Sequence, residues 1–234
     1  MGLIYPADGV LDDEYWKLVP PGVTVHITRV AVPSRRLSAE RVVSECESKD
    51  IERSAGILSN VEPEVIAYCN TAGSFVRGAG HDEEIVSRIQ RAGGVAATTA
   101  YTASVRALRA LQVVRVAVAT PYPDEINSRL RDFLEDSGFK VVALTGLRLR
   151  EGIGSVASAT SYRLARDADH LDAEALFVSC TNLRTVDIVE TLEQDLRKPV
   201  VTANQATIWH SLVMAGVKPS SKGLGSLYDT KMHQ

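Results

Sequence analysis

Glu64-Val65-Ile66-Ala67-Tyr68-Cys69-Asn70-Thr71 decides the fold, because the chain repeats it as Glu174-Ala175-Leu176-Phe177-Val178-Ser179-Cys180-Thr181-Asn182. Each copy is an acidic residue, a short apolar run and a cysteine, followed by Asn and Thr in one order or the other. Short apolar runs without strict alternation read as parallel strands covered on both faces. Outward from this pair the same kind of run recurs, and strands are predicted over 2–6, 23–30, 65–69, 95–98, 114–120, 140–144, 175–180 and 200–202. Amphipathic stretches at 38–58, 82–92, 124–137, 155–168, 185–197 and 205–215 lie between them, several ending at glycine. Two further pairs match, Val95-Ala96-Ala97-Thr98 with Val200-Val201-Thr202-Ala203, and Ile4-Tyr5-Pro6-Ala7-Asp8 with Ala119-Thr120-Pro121-Tyr122-Pro123-Asp124. The prediction is an α/β protein of two pseudo-symmetric subdomains, each a four-stranded parallel sheet flanked by helices, with the site in the cleft between them. Residues 1–112 plus 204–234 form the first subdomain, and 113–203 the second.

Composition narrows the function classes. The 234 residues are 45% hydrophobic and 24% charged, the balance of a soluble globular chain able to bury a core. A net charge of −3, with both signs mixed throughout, gives no basic footprint for nucleic acid. No apolar run is long enough to span a bilayer, and the N-terminus has no basic leader, so a cytoplasmic protein is expected. Neither Arg77-Gly78-Ala79-Gly80 nor Gly152-Ile153-Gly154-Ser155 forms a phosphate-binding glycine loop, and both read as turns. The three cysteines, Cys46, Cys69 and Cys180, lack the spacing of a zinc site or a disulfide framework, so no metal is expected.

Ligands of open α/β sheets bind outside the carboxyl ends of the strands. Cys69 and Cys180 each hold that place, one per half, so two thiols are expected at one cleft. Asn70, Thr71, Thr181 and Asn182 follow them at what reads as the mouth of the next helix. Backbone N–H groups there favour a carboxylate and lower a thiol's pKa. The pairing suits acid–base or nucleophilic chemistry beside a small carboxylate, with donors aimed at the oxygens where charge builds. A single buried cysteine is more often a small hydrophobe, but the repetition favours function for these two. Cys46, inside a helix, is assigned to packing. Tyr122 either donates to a carboxylate or packs its loop. Asp8 and Asp124 read as caps, His81 and His210 as surface or core histidines, and Trp16 and Trp209 as core.

Tyr68-Cys69-Asn70-Thr71-Ala72-Gly73-Ser74-Phe75, Arg106-Ala107-Leu108-Arg109-Ala110-Leu111, Arg115-Val116-Ala117-Val118-Ala119-Thr120-Pro121-Tyr122, Val178-Ser179-Cys180-Thr181-Asn182-Leu183-Arg184 and Lys198-Pro199-Val200-Val201 carry a resemblance across nearly the whole chain. Together they resemble the aspartate/glutamate racemase superfamily, in its branch of maleate cis–trans isomerases, arylmalonate decarboxylases and racemase-like proteins of ectoine utilisation. The resemblance implies a homo-oligomeric enzyme with no metal or organic cofactor. Cys69 and Cys180 are its catalytic pair, Thr71 with Asn70 beside it and Tyr122 bind carboxylate, and Pro6 and Ala7 lie in the loop over the substrate. Decarboxylases of the branch keep only the second cysteine. Both are present here, so the expected function is a cofactor-independent racemase or cis–trans isomerase of a small carboxylic or dicarboxylic acid. The alternatives are an arylmalonate-type decarboxylase using Cys180 as proton donor, and a non-catalytic small-acid binding module.

Overall fold

A computed structural model describes residues 1–219 and 223–230 of the chain. Its first sheet holds β1 (Gly2–Pro6), β2 (His26–Val30), β3 (Val65–Tyr68) and β4 (Ala96–Thr99), and its second β5 (Arg115–Thr120), β6 (Lys140–Gly146), β7 (Ala175–Val178) and β8 (Val200–Thr202). All pairs are parallel, and the spatial orders are β2-β1-β3-β4 and β6-β5-β7-β8. The two halves therefore share one topology. The internal strands β1, β3 and β7 are buried at every position, as sheets covered on both faces require. In each sheet the order reverses between the first and third strands, and Cys69 and Cys180 follow those third strands. That reversal opens the crevice where ligands of such sheets bind.

Among the described residues ten α-helices clothe the sheets: α1 (Asp12–Lys17), α2 (Ala39–Glu47), α3 (Asp50–Leu58), α4 (Thr71–Phe75), α5 (His81–Gly93), α6 (Ala100–Ala110), α7 (Asp124–Asp136), α8 (Ser158–Ala168), α9 (Val189–Leu196) and α10 (Ala203–Met214). The single helix expected over 38–58 is two, broken where Ser48 is extended and its hydroxyl takes the Asp50 N–H at 3.1 Å. Serine competes for backbone groups in this way wherever a turn is available. Ser38 caps α2, and a capping box of Thr202 and Gln205 starts α10.

Four aromatic rings join the halves behind the cleft. Phe75 lies 6.3 Å from Tyr122 and 6.5 Å from Phe133, and Tyr101 lies 4.2 Å from Phe133 at an edge-to-face angle. Pairs of this geometry add about 0.5–1.5 kcal/mol beyond the area they bury. Helix α10 packs along α6 and reaches β3, β4 and β8. Trp209 on α10 is core, but Trp16 is not: it is 51% exposed on the outer face of α1. In a helix this short, its neighbour Tyr15 takes the inward position, stacking edge-on against Tyr5 at 5.4 Å. Residues 220–222 and 231–234, expected to return with the C-terminal segment to the first half, lie outside the described residues.

Candidate active site

A cavity of about 680 Å³ opens at the carboxyl ends of the strands, between the sheets. Residues from Tyr5 to Val10 form one wall and Asn70, Thr71 and Ala72 another, with Tyr122 and Cys180–Asn182 opposite. Leu37, Arg41, Val42 and Glu45 of the β2–α2 loop and α2, and the stretch Arg150–Ser155, close the mouth. Pro6, Ala7, Asn70, Thr71, Tyr122, Cys180, Thr181 and Asn182, all singled out from sequence, thus meet at one cavity. Cys69 does not line it.

Cys180 sits where β7 ends, with φ = +134°, a region that residues bearing a Cβ rarely adopt. Such backbone costs about 1–3 kcal/mol and persists only where the surroundings over-determine it. Several contacts do so here. The Ser179 N–H donates to Ala119 O at 2.9 Å, Thr181 Oγ1 to Cys69 O at 2.9 Å, and Tyr5 Oη to Thr181 O at 3.0 Å. The Asn182 N–H points at Cys180 Sγ at 3.4 Å. Burial pushes the Cys180 thiol up to about 11, although the Asn182 N–H and the Tyr122 hydroxyl both favour its thiolate.

Cys69 is fully buried beneath the cavity wall, and burial pushes its thiol up to about 12, opposed first by the Tyr15 hydroxyl. The depressed thiol pKa values expected from sequence are thus found at neither cysteine. The physical reason is local. The residues after Cys180 form a turn, with the next α-helix delayed to Val189, and α4 after Cys69 is only five residues long. Desolvation then outweighs the few N–H groups near each sulfur. Cys46, assigned to packing, is buried with its Sγ 3.0 Å from Gly73 O.

Groups able to donate to an anion line the cavity beside Cys180. The Thr71 hydroxyl is buried with no hydrogen-bond partner among the described residues, beside the Tyr122 phenol. Burial raises that phenol well above its ordinary pKa, so it stays a donor. No backbone acceptor is found among the described residues for the N–H groups of Thr71, Ala72, Cys180 or Thr181. Asn70 and Asn182 line the cavity, but their carboxamides serve the frame. Asn70 Oδ1 caps α4 by accepting the Gly73 N–H at 2.9 Å, while its Nδ2 donates to Glu45 at 3.2 Å. Asn182 accepts from Tyr5 Oη at 3.2 Å and the Val10 N–H at 3.1 Å, and donates to Asp8 O at 3.1 Å. It thereby fixes the loop that begins with Pro6 and Ala7.

Sequence reading passed over Tyr5, the Arg41–Glu45 pair and the 150–155 stretch. Arg41 and Glu45 at i, i+4 look like any solvated helix pair, yet both side chains are buried. Gly152–Ser155 was read as punctuation and instead forms part of the cavity mouth. Among the described residues no group of three or more His, Cys, Asp or Glu side chains is placed to hold a metal, and no helix is long and apolar enough to cross a membrane.

The profile of the family described as arylmalonate decarboxylase matches residues 2–228. This chain belongs to the arylmalonate decarboxylase family. It is 34% identical to arylmalonate decarboxylase from Bordetella bronchiseptica over 173 residues, 70% of this chain and 71% of that protein. Maleate isomerase from Nocardia farcinica is 28% identical over 184 residues, 75% of this chain and 73% of that one. Among solved structures, a mutant of the Nocardia farcinica maleate cis–trans isomerase with a covalently bound succinylcysteine intermediate superposes with a TM-score of 0.91 at 25% identity, covering 99% of this chain and 98% of that one. Relatives of this arylmalonate decarboxylase family member thus include both a decarboxylase and isomerases, one of which forms a covalent intermediate on a cysteine. The fold and the branch expected from sequence are those found.

Proposed function

We propose that this protein is a cofactor-independent isomerase or racemase of a small carboxylic or dicarboxylic acid, with Cys180 and Cys69 acting from opposite sides of the bound substrate. The observation that carries the reading is the pair of cysteines just past the matching third strands of two matching sheets, Cys180 on the cavity beside unpartnered donors and Cys69 buried behind its wall. The substrate carboxylate lies against the Thr71 hydroxyl, the Tyr122 phenol and the free N–H groups beside them. Charge delocalised into the carboxylate during reaction meets donors already aimed at it. Cys180, which faces the cavity, is the nucleophile or base. On an alkene diacid its thiolate forms a C–S bond at one alkene carbon, and the neighbouring carbon takes a proton. Rotation about the resulting single bond and loss of that proton with cleavage of the C–S bond return the thiolate and the trans alkene. On an acid with an α-hydrogen, one thiolate takes the proton and the other thiol delivers one to the opposite face. The covalent succinylcysteine of the Nocardia relative supports the first course.

Burial of Cys69 behind the wall favours a second reading, decarboxylation of a malonate-like acid with Cys180 alone returning the proton. Incubation in D₂O with maleate, both enantiomers of aspartate and glutamate, and an arylmalonate, followed by proton NMR, separates the two. The isomerase reading expects fumarate or α-deuteration. It also expects a fall of roughly 10²–10⁴ in turnover for both Cys180→Ala and Cys69→Ala, the range of a lost acid–base group. Carbon dioxide release that survives Cys69→Ala establishes the decarboxylase instead.

A further inference from the structure

Glu14 is buried completely, and among the described residues no guanidinium or ammonium group pairs with its carboxylate. One oxygen accepts the Thr185 N–H at 2.7 Å and the Val186 N–H at 3.1 Å; the other accepts Asn204 Nδ2 at 2.8 Å. Burial raises its pKa and these three donors oppose the rise. An isolated buried carboxylate is costly, and an apolar side chain of similar volume often serves packing better. Glu14 therefore calls for a reason other than stability, and its partners supply one. Thr185 and Val186 end the turn that starts at Cys180, whose Leu183 N–H donates back to Cys180 O at 3.3 Å.

We infer that Glu14 is a positioning residue for Cys180: its carboxylate fastens the far end of the 180–186 turn to α1, holding the thiol-bearing residue in its left-handed backbone. The grip is reciprocal. Asn182 reaches from the turn to the loop before α1, and Glu14 reaches from α1 back to the turn. Around them Arg184 pairs with Asp13 at 2.8 Å and Lys17 with Asp187 at 2.8 Å, but these exposed pairs are worth only about 0–1 kcal/mol each. Glu14 alone among the α1 carboxylates takes the turn by its backbone. The inference rests on Cys180 being the reacting thiol.

Three substitutions at one position test it. Glu14→Ala removes the grip, Glu14→Asp keeps the charge but withdraws it by one methylene, and Glu14→Gln keeps the shape. The glutamine oxygen still accepts both N–H groups, and its amide donates to Asn204 Oδ1, now unpartnered, once that carboxamide turns over. With the acid that the wild-type protein converts, kcat falls roughly tenfold to a hundredfold in Glu14→Ala and Glu14→Asp, as expected for a reacting group misplaced by about 1 Å. KM stays within a few-fold, and Glu14→Gln restores most of kcat. Asp13→Ala, which removes only the exposed pairs with Arg184 and Lys17, behaves as wild type. Should Glu14→Ala fail to fold, Glu14→Asp carries the same comparison. Iodoacetamide labelling of Cys180, followed by mass spectrometry, needs no substrate: its rate departs from wild type in Glu14→Asp and Glu14→Ala and returns in Glu14→Gln. Full kcat and unchanged labelling in Glu14→Asp overturn the inference. A wild-type protein that turns over none of the acids, with labelling that follows this order, defeats the isomerase reading and leaves the positioning role standing.

Discussion

At Cys180 the side chain that the proposed chemistry needs and the backbone that the fold imposes are at odds. A Cβ at φ = +134° is strained, and glycine would relieve the strain while removing the sulfur. Cys180→Gly is therefore expected to be more stable than Cys180→Ala by about 1 kcal/mol, because alanine keeps the strained Cβ and glycine does not. Urea unfolding of the two variants checks this; equal midpoints would mean that the conformation costs nothing. The cysteine itself was legible from the repeat, since only a matched pair of strand–Cys–polar segments lifts a cysteine above the packing prior. Its conformation was not, because it arises from contacts with Ala119, Cys69 and Tyr5, all distant in sequence. For the same reason Asn70 and Asn182 were assigned to the substrate: their positions are readable, but the groups that occupy their carboxamides come from other elements.

Among the helices, α10 shows what burial does to a titratable side chain. His210 Nδ1 lies 2.9 Å from Thr98 Oγ1, and burial, with a smaller push from Arg106, lowers its pKa to about 4. In the unfolded chain the ordinary value is about 6.5, so as the pH falls the unfolded state takes the proton first. The stability contributed by the neutral ring is complete above about pH 6.5 and is lost between there and about pH 4, up to about 3 kcal/mol in all. Urea unfolding at pH 7 and pH 5 is expected to show this loss in the wild-type protein and a smaller one in His210→Gln, which does not titrate; parallel losses would exclude His210 as their source. Element placement was the most legible level. The strands over 2–6 and 200–202 are where the apolar runs put them. The helix at 38–58 was not, since the break at Ser48 depends on a side-chain bond that helical periodicity does not register.

For the whole molecule, the unanswered matter is whether the halves are independent units that share a site or one cooperative body. We propose the division at 1–112 plus 204–234 and 113–203, and the aromatic cluster says how tightly those parts are joined. Phe75 and Tyr101 come from one, Tyr122 and Phe133 from the other, and all four rings are buried. The main core likewise runs without interruption from Leu3 and Ala67 to Val118 and Phe177. A fragment of 113–203 alone would expose that seam, so the full chain is expected to unfold in a single transition. Phe75→Ala, with a cavity left at the centre of the seam, is expected to lower its stability by about 3–5 kcal/mol. Far-UV circular dichroism and the fluorescence of Trp209 should report one shared, shifted midpoint. If only part of the signal moves, the halves fold separately and the seam is an interface. The site would then have to be completed by docking, and its donors would no longer be fixed before substrate arrives.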